Sequence, residues 1–284
     1  MERQIPTAKD DYLFDLRGFI ILRNCLSTEQ LENINTCLDT MPDMEPGDWH
    51  GYIHRQMHQD MFGVNYQQIY EAEAFRCLIN HPAWVEYAKR YVGGGDHYDS
   101  LHGPLFIDEN FANLRGPGQA ISLHSGGDLP IKRCQYQYRN NGWACGQINI
   151  LMALNDIGPG DGATMVIPGS HKANFPHPDI EDDDYGRNPV DGVECAIEVH
   201  LNAGDAVLFV DAISHGSAER VNPGERRICV FRYGPSWGNF RYGYQPSPEL
   251  LASLDEEARS FVLPHRPAPG NKPGPYETEL IPFS

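Results

Sequence analysis

His215 and Arg226 lie eleven positions apart in the stretch from Asp211 to Tyr233, with Asn222-Pro-Gly224 between them. That spacing suits two strands joined by a turn, with an imidazole at the start of one and a guanidinium on the next. Together they could grip one bidentate keto acid. The imidazole would hold a metal, and the guanidinium would pair with the far carboxylate through a planar two-point contact that Arg makes better than Lys. A second candidate ligand, His124, stands in Ile121-Ser-Leu-His-Ser-Gly-Gly-Asp128. The chain has twelve histidines, so most are bystanders. His50, His54 and His58 stand four apart and would line one helical face, a weaker prospect for a second metal site.

The elements that must position these residues are read from periodicity. Phe19 to Leu22, bounded by Gly18 and Asn24, reads as a short buried strand. Ser27-Thr-Glu-Gln30 has the form of a capping box, and Leu31, Ile34, Cys37 and Leu38 recur at helical spacing up to Pro42. Residues 43–66 lack periodicity and are expected to be an ordered loop region. A helix is expected from Glu71 to Tyr91, ending before Gly93-Gly-Gly95. From residue 97 the pattern becomes β, with strands at 147–155, 163–167, 195–201, 205–210 and 227–233 punctuated by Gly and Pro. Along the last strand Arg226, Ile228, Val230 and Arg232 share one face, as expected of a face directed into a barrel that holds an anion. Many short strands after helices predict an all-β core with flanking helices, a jelly roll. The expected layout is a single domain over 1–284: a helical part to about 95, a jelly-roll core over about 97–235, and an irregular Pro- and Gly-rich tail over about 236–284.

A chain of 284 residues with 40% hydrophobic and 21% charged residues is long enough for one large packed core. Its formal net charge of −17 opposes nucleic-acid and anionic-membrane partners. No apolar run approaches a membrane span, and the N-terminus lacks a secretory h-region, so a cytoplasmic protein is expected. Seven scattered cysteines without a CxxC pair argue for reduced thiols rather than a disulfide framework.

The segments around His124 and His215, together with Ile167-Pro-Gly-Ser-His-Lys172, resemble the phytanoyl-CoA dioxygenase family of iron(II)- and 2-oxoglutarate-dependent oxygenases, from about residue 11 to about 235. The resemblance implies a double-stranded β-helix of cupin type, Fe(II) held by His124 and His215, and 2-oxoglutarate paired with Arg226 and Ser217. It also implies O2 as co-substrate and a bracing rather than ligating role for His171. The family's usual His-x-Asp reads His124-Ser125-Gly126 here, and glycine cannot ligate. The third ligand is then Asp211, four residues before His215; Asp128, if the chain bends at Gly126-Gly127; or no side chain, with a halide in the open position. Lys132, Arg133 and Tyr138 are candidate substrate contacts near the mouth.

The expected function is hydroxylation of an unactivated C–H bond of a small-molecule substrate. A halogenase using chloride with the same cofactors is the rival enzyme, and a non-catalytic cupin-like binding protein is the rival outside catalysis. Prime substrate and oligomeric state are not legible.

Overall fold

The computed structural model describes residues 2–57, 63–93, 105–125, 134–179, 192–236 and 245–263. Two antiparallel sheets face each other. The larger has eight strands in the order β1 (Phe19–Leu22), β12 (Ala206–Val210), β9 (Ile148–Ala153), β14 (Arg226–Pro235), β5 (Leu105–Arg115), β4 (Val64–Gln67), β3 (Ile53–Arg55), β2 (Trp49–His50). The smaller runs β11 (Ile197–Val199), β10 (Thr164–Val166), β13 (His215–Ser217), β6 (Ile121–His124). A two-stranded hairpin, β7 (Tyr138–Arg139) with β8 (Gly142–Trp143), stands apart from both. This is the expected jelly roll.

Among the described residues six α-helices flank it: α1 (Ala8–Arg17), α2 (Thr28–Asp39), α3 (Glu73–Arg76), α4 (Val85–Val92), α5 (Pro248–Ser253) and α6 (Glu256–Val262). The capping box of α2 forms as its sequence dictates, with Ser27 accepting from Gln30 N and Gln30 reaching back to Ser27 N. A second box, Thr7 with Asp10, starts α1, a helix that the sequence reading passed over. Gly18 closes α1 at φ 81°, where an L side chain would be strained and an added Cβ would come within 2.5 Å of the His171 ring.

Three expectations fail for identifiable reasons. The helix expected over 71–91 is broken into α3 and α4, because Pro82 lacks an N–H and bars its predecessor from helical geometry. The region 43–66 is not a loop: it carries β2, β3 and the start of β4, short strands at one end of the larger sheet whose half-exposed side chains erase the apolar signal. His50 and His54 therefore lie on opposite strands of a hairpin, with His54 across from Trp49, and share no helical face; His58 is outside the described residues. Within the segment expected to be an irregular tail, α5 and α6 form, capped by Ser247 and Asp255; residues 264–284 are outside the described residues. No helix among the described residues is long and apolar enough to cross a membrane.

The larger sheet has two different faces. Outward, Phe231 and Tyr233 are fully buried; α4 packs against β14, and the Tyr233 hydroxyl donates to Ile79 O and accepts from Trp84 Nε1 in the segment before it. Inward, Phe209, Asn149, Arg232 and Glu109 form one cross-strand row, and Arg226 and Arg115 form another. The Phe209 ring lies 4.8 Å from that of His215, so this face looks onto the smaller sheet. Polar residues thus alternate into the barrel interior between apolar ones.

Candidate active site

Strands β6 and β13 pair so that His124 stands directly across from His215, with ring centroids 4.2 Å apart. The close approach depends on Gly216, where an added Cβ would lie 2.5 Å from Ile121 O and 2.8 Å from Ser122 C. Each imidazole is oriented by the strand that carries it: His124 Nδ1 donates to Ser122 O at 2.9 Å, and His215 Nδ1 donates to Ile213 O at 2.8 Å. A carbonyl can only accept, so Nδ1 carries the proton in both rings and Nε2 is the lone-pair nitrogen, the tautomer a metal ligand needs. Burial, reinforced by the neighbouring His124, pushes His215 down to about 3, which keeps it neutral at ordinary pH.

Two residues along β13 the chemistry changes. Ser217 Oγ accepts from Arg115 Nη1 at 2.6 Å, and Arg226 Nη2 donates to Thr164 Oγ1 at 3.3 Å. Arg226 and Arg115 are cross-strand partners, each 1% exposed. Arg226 Nε and Nη1 and Arg115 Nε are buried with no hydrogen-bond partner among the described residues. Burial, with Arg115 and Arg220 nearby, drives the Arg226 guanidinium well below its ordinary value. Buried guanidinium nitrogens left unpaired cost several kcal/mol, about what a bound carboxylate would return. Neither Arg115 nor Thr164 was singled out from the sequence. The usable signal for Arg115 was the alternation of Glu109, Phe111, Asn113 and Arg115 along a strand that is buried almost throughout.

Among the described residues, no three His, Cys, Asp or Glu side chains are grouped to hold a metal. Asp211 has partners of its own. It is 1% exposed in the turn after β12, where Oδ1 accepts from Asn149 Nδ2 at 3.0 Å and Oδ2 accepts from the Cys134 thiol at 3.4 Å. Arg232 Nη1 stands 3.7 Å from Oδ1. Its charge raises the proton affinity of His215, a through-space influence on that imidazole. Ser125 has φ 60°, so the chain leaves the line of β6 immediately after His124. Asp128, Lys132 and Arg133 lie outside the described residues.

Tyr138 is exposed on the β7–β8 hairpin, its ring 4.7 Å from that of Trp143. It borders a cavity of about 570 Å³ that Asp15, Tyr136 and His171 also line. His171 braces α1: its Nε2 meets Asp15 O at 3.1 Å and its ring lies edge-on to Tyr136.

The two ends of this interior fit a metal and a dicarboxylate, the one through paired Nε2 lone pairs and the other through orphaned guanidinium donors. Comparison with known proteins agrees with that geometry. Residues 14–228 match the family model of phytanoyl-CoA dioxygenase (PhyH). The chain is 33% identical over 265 residues to dioxygenase cdmD of Talaromyces verruculosus, covering 86% of this chain and 80% of that protein. It is 30% identical over 120 residues to dioxygenase FUM3 of Gibberella moniliformis, covering 38% of this chain and 35% of that protein. Among solved structures, HygX from Streptomyces hygroscopicus with nickel and 2-oxoglutarate bound has the same fold, at a TM-score of 0.65 and 21% identity over 86% of this chain and 94% of that one. By family match over residues 14–228 and by 33% identity to a dioxygenase over 86% of its length, the chain belongs to the phytanoyl-CoA dioxygenase family.

Proposed function

We propose that this protein is an iron(II)- and 2-oxoglutarate-dependent oxygenase that hydroxylates an unactivated C–H bond of a small-molecule substrate. The observation that carries this reading is Arg226. A fully buried guanidinium with two unpaired nitrogens lies on the strand across the barrel from the imidazole pair, beside Ser217, two residues along β13 from His215. When bound, the metal with 2-oxoglutarate and O2 supplies the oxidation, giving succinate, CO2 and the alcohol. The chain's own part is positioning. His124 and His215 hold the metal through Nε2, each ring fixed by its Nδ1 bond to the backbone. Arg226 takes the distal carboxylate, with Ser217 as hydroxyl partner, and so fixes which end of the keto acid reaches the metal.

Asp211 we assign to tuning His215 by charge rather than to ligation, since its oxygens are committed to Asn149 and Cys134. Asp128 is then the protein candidate for the third position. A straight course from His124 would carry it roughly 13 Å away, but the chain already leaves that course at Ser125, whose φ is 60°. Chloride in that position, as in a halogenase, is the second reading. HygX has also been solved with hygromycin B bound, and SnoK, named a carbocyclase of nogalamycin biosynthesis, shares the fold at a TM-score of 0.56 and 14% identity over 94% of this chain and 98% of that one. These neighbours support a small-molecule substrate and make hydroxylation the point to test. Anaerobic addition of iron(II) and 2-oxoglutarate should give the weak visible charge-transfer band of the chelate, and O2 should then release succinate. Without the band or saturable 2-oxoglutarate binding, the reading falls. A product that has gained chlorine rather than oxygen would move it to the halogenase.

A further inference from the structure

The keto-acid end of the barrel holds one more cation than a single carboxylate needs. Arg115 and Arg226 face each other from adjacent strands, β5 and β14, and both are buried to 1% exposure. Among the described residues, their guanidinium groups donate to the neutral hydroxyls of Ser217 and Thr164. Arg220 shows how this fold settles a buried arginine for structural purposes: Nη1 pairs with Asp161 Oδ1 at 3.0 Å, while Nη2 and Nε donate to Pro223 O and Gly224 O. Arg115 has no such set. Its Nε is buried and unpartnered among the described residues, as are Nε and Nη1 of Arg226. Two desolvated like charges held side by side repel, so this placement needs an anion to justify it. Orienting one serine hydroxyl does not justify it, since a neutral donor would serve.

We propose that Arg115 is a second guanidinium contact for the distal carboxylate of the keto acid, clamping it between β5 and β14 and making that carboxylate obligatory for co-substrate binding. The inference rests on the reading of this pocket as a 2-oxoglutarate site. In such a clamp Ser217 Oγ accepts from Arg115 and turns its own proton to the carboxylate. The carboxylate has lone pairs enough for Arg226, Arg115 and Ser217 together. A 2-oxo acid of the same length ending in a methyl group would leave both guanidinium charges buried and unpaired, and would be refused.

The test is equilibrium binding of 2-oxoglutarate and of 2-oxopentanoate to the iron(II)-loaded full-length chain, measured anaerobically by calorimetry. The wild type should bind 2-oxoglutarate and discriminate strongly against 2-oxopentanoate. Arg115→Met should weaken 2-oxoglutarate about tenfold or more, leave the weak 2-oxopentanoate affinity essentially unchanged, and retain iron. Arg115→Gln separates charge from bracing, because glutamine can still donate to Ser217 while carrying no charge. It should lose as much as Arg115→Met, and it decides the matter should Arg115→Met fail to fold. Full 2-oxoglutarate affinity in Arg115→Gln, or equal loss for both acids, overturns the proposal. A wild type that binds neither acid would instead remove the 2-oxoglutarate reading itself, so the two failures are distinguishable.

Discussion

Arg226 and Arg232 lie on one strand and one face, six residues apart, in opposite chemical settings. Arg232 Nε is 3.2 Å from Glu109 Oε2, its Nη1 is 3.7 Å from Asp211, and its guanidinium lies 5.6 Å from the centre of the Phe111 ring. Arg226, more deeply buried, has a threonine hydroxyl and a neighbouring arginine. The difference separates a cation that the fold has neutralised from one it has left for a ligand. A buried pair is an internal strut, whereas an unbalanced charge holds free energy that binding releases.

The sharpest way to break this comparison is at the metal end. His215→Ala should abolish stoichiometric iron binding, measured by metal content after anaerobic loading and desalting, while Arg226→Met should keep its iron. Equal iron loss in both would mean that the two ends are not separate sites.

The next test crosses the two arginines. Arg232→Met strands the buried Glu109 and Asp211 carboxylates and should lower unfolding free energy by about 3 kcal/mol, with 2-oxoglutarate affinity little changed. Arg226→Met should weaken 2-oxoglutarate by about 10- to 100-fold, with apo stability unchanged or raised. Urea unfolding and calorimetry on both variants would show whether the costs fall on opposite properties.

A third kind of buried group stays uncharged and should surface as acid sensitivity. Burial lowers both His81 and His171 to about 4 from an ordinary 6.5. The folded state therefore disfavours their protonation. Their contribution is complete above about pH 6.5 and is lost as pH falls towards 4, by roughly 2 kcal/mol per histidine at pH 5. Denaturant midpoints at pH 7.5 and pH 5 should differ accordingly, and His171→Asn should flatten that dependence.

The smallest expected effect is on iron content in Asp211→Asn, which should retain stoichiometric metal because the side chain is held by Asn149 and Cys134. Asp128→Ala should lose iron. The reverse pattern would return Asp211 to the metal, and retention in both would point to a halide, checked by the response of succinate formation to chloride.

Part of the sheet core was legible because several of its strands are written locally, although β5, β6 and β13 were given no bounds. Branched and aromatic runs bounded by Gly and Pro predicted β9, β10, β12 and β14, and the period of two along β14 put Arg226 and Arg232 on one face. The short strands β2 to β4 at one end of the larger sheet were not, because strands of two to four half-exposed residues carry no apolar alternation. The broken helix was missed although Pro82 was in plain view, and α5 and α6 were missed beneath a Pro- and Gly-rich composition despite Ser247 and Asp255 standing as caps.

The sequence by itself determined which side chains could ligate and which could carry a carboxylate. Residue type sets donor chemistry, and the short spacing from His215 to Arg226 places imidazole and guanidinium on successive strands whatever the rest of the chain does. Only the tertiary structure decided how charges are balanced. Arg115 meets Ser217 across a separation of 102 residues, and Asp211 is claimed by Asn149 across 62. Those partners come from register between distant strands, and register follows from burial of whole sheet faces rather than from any local pattern.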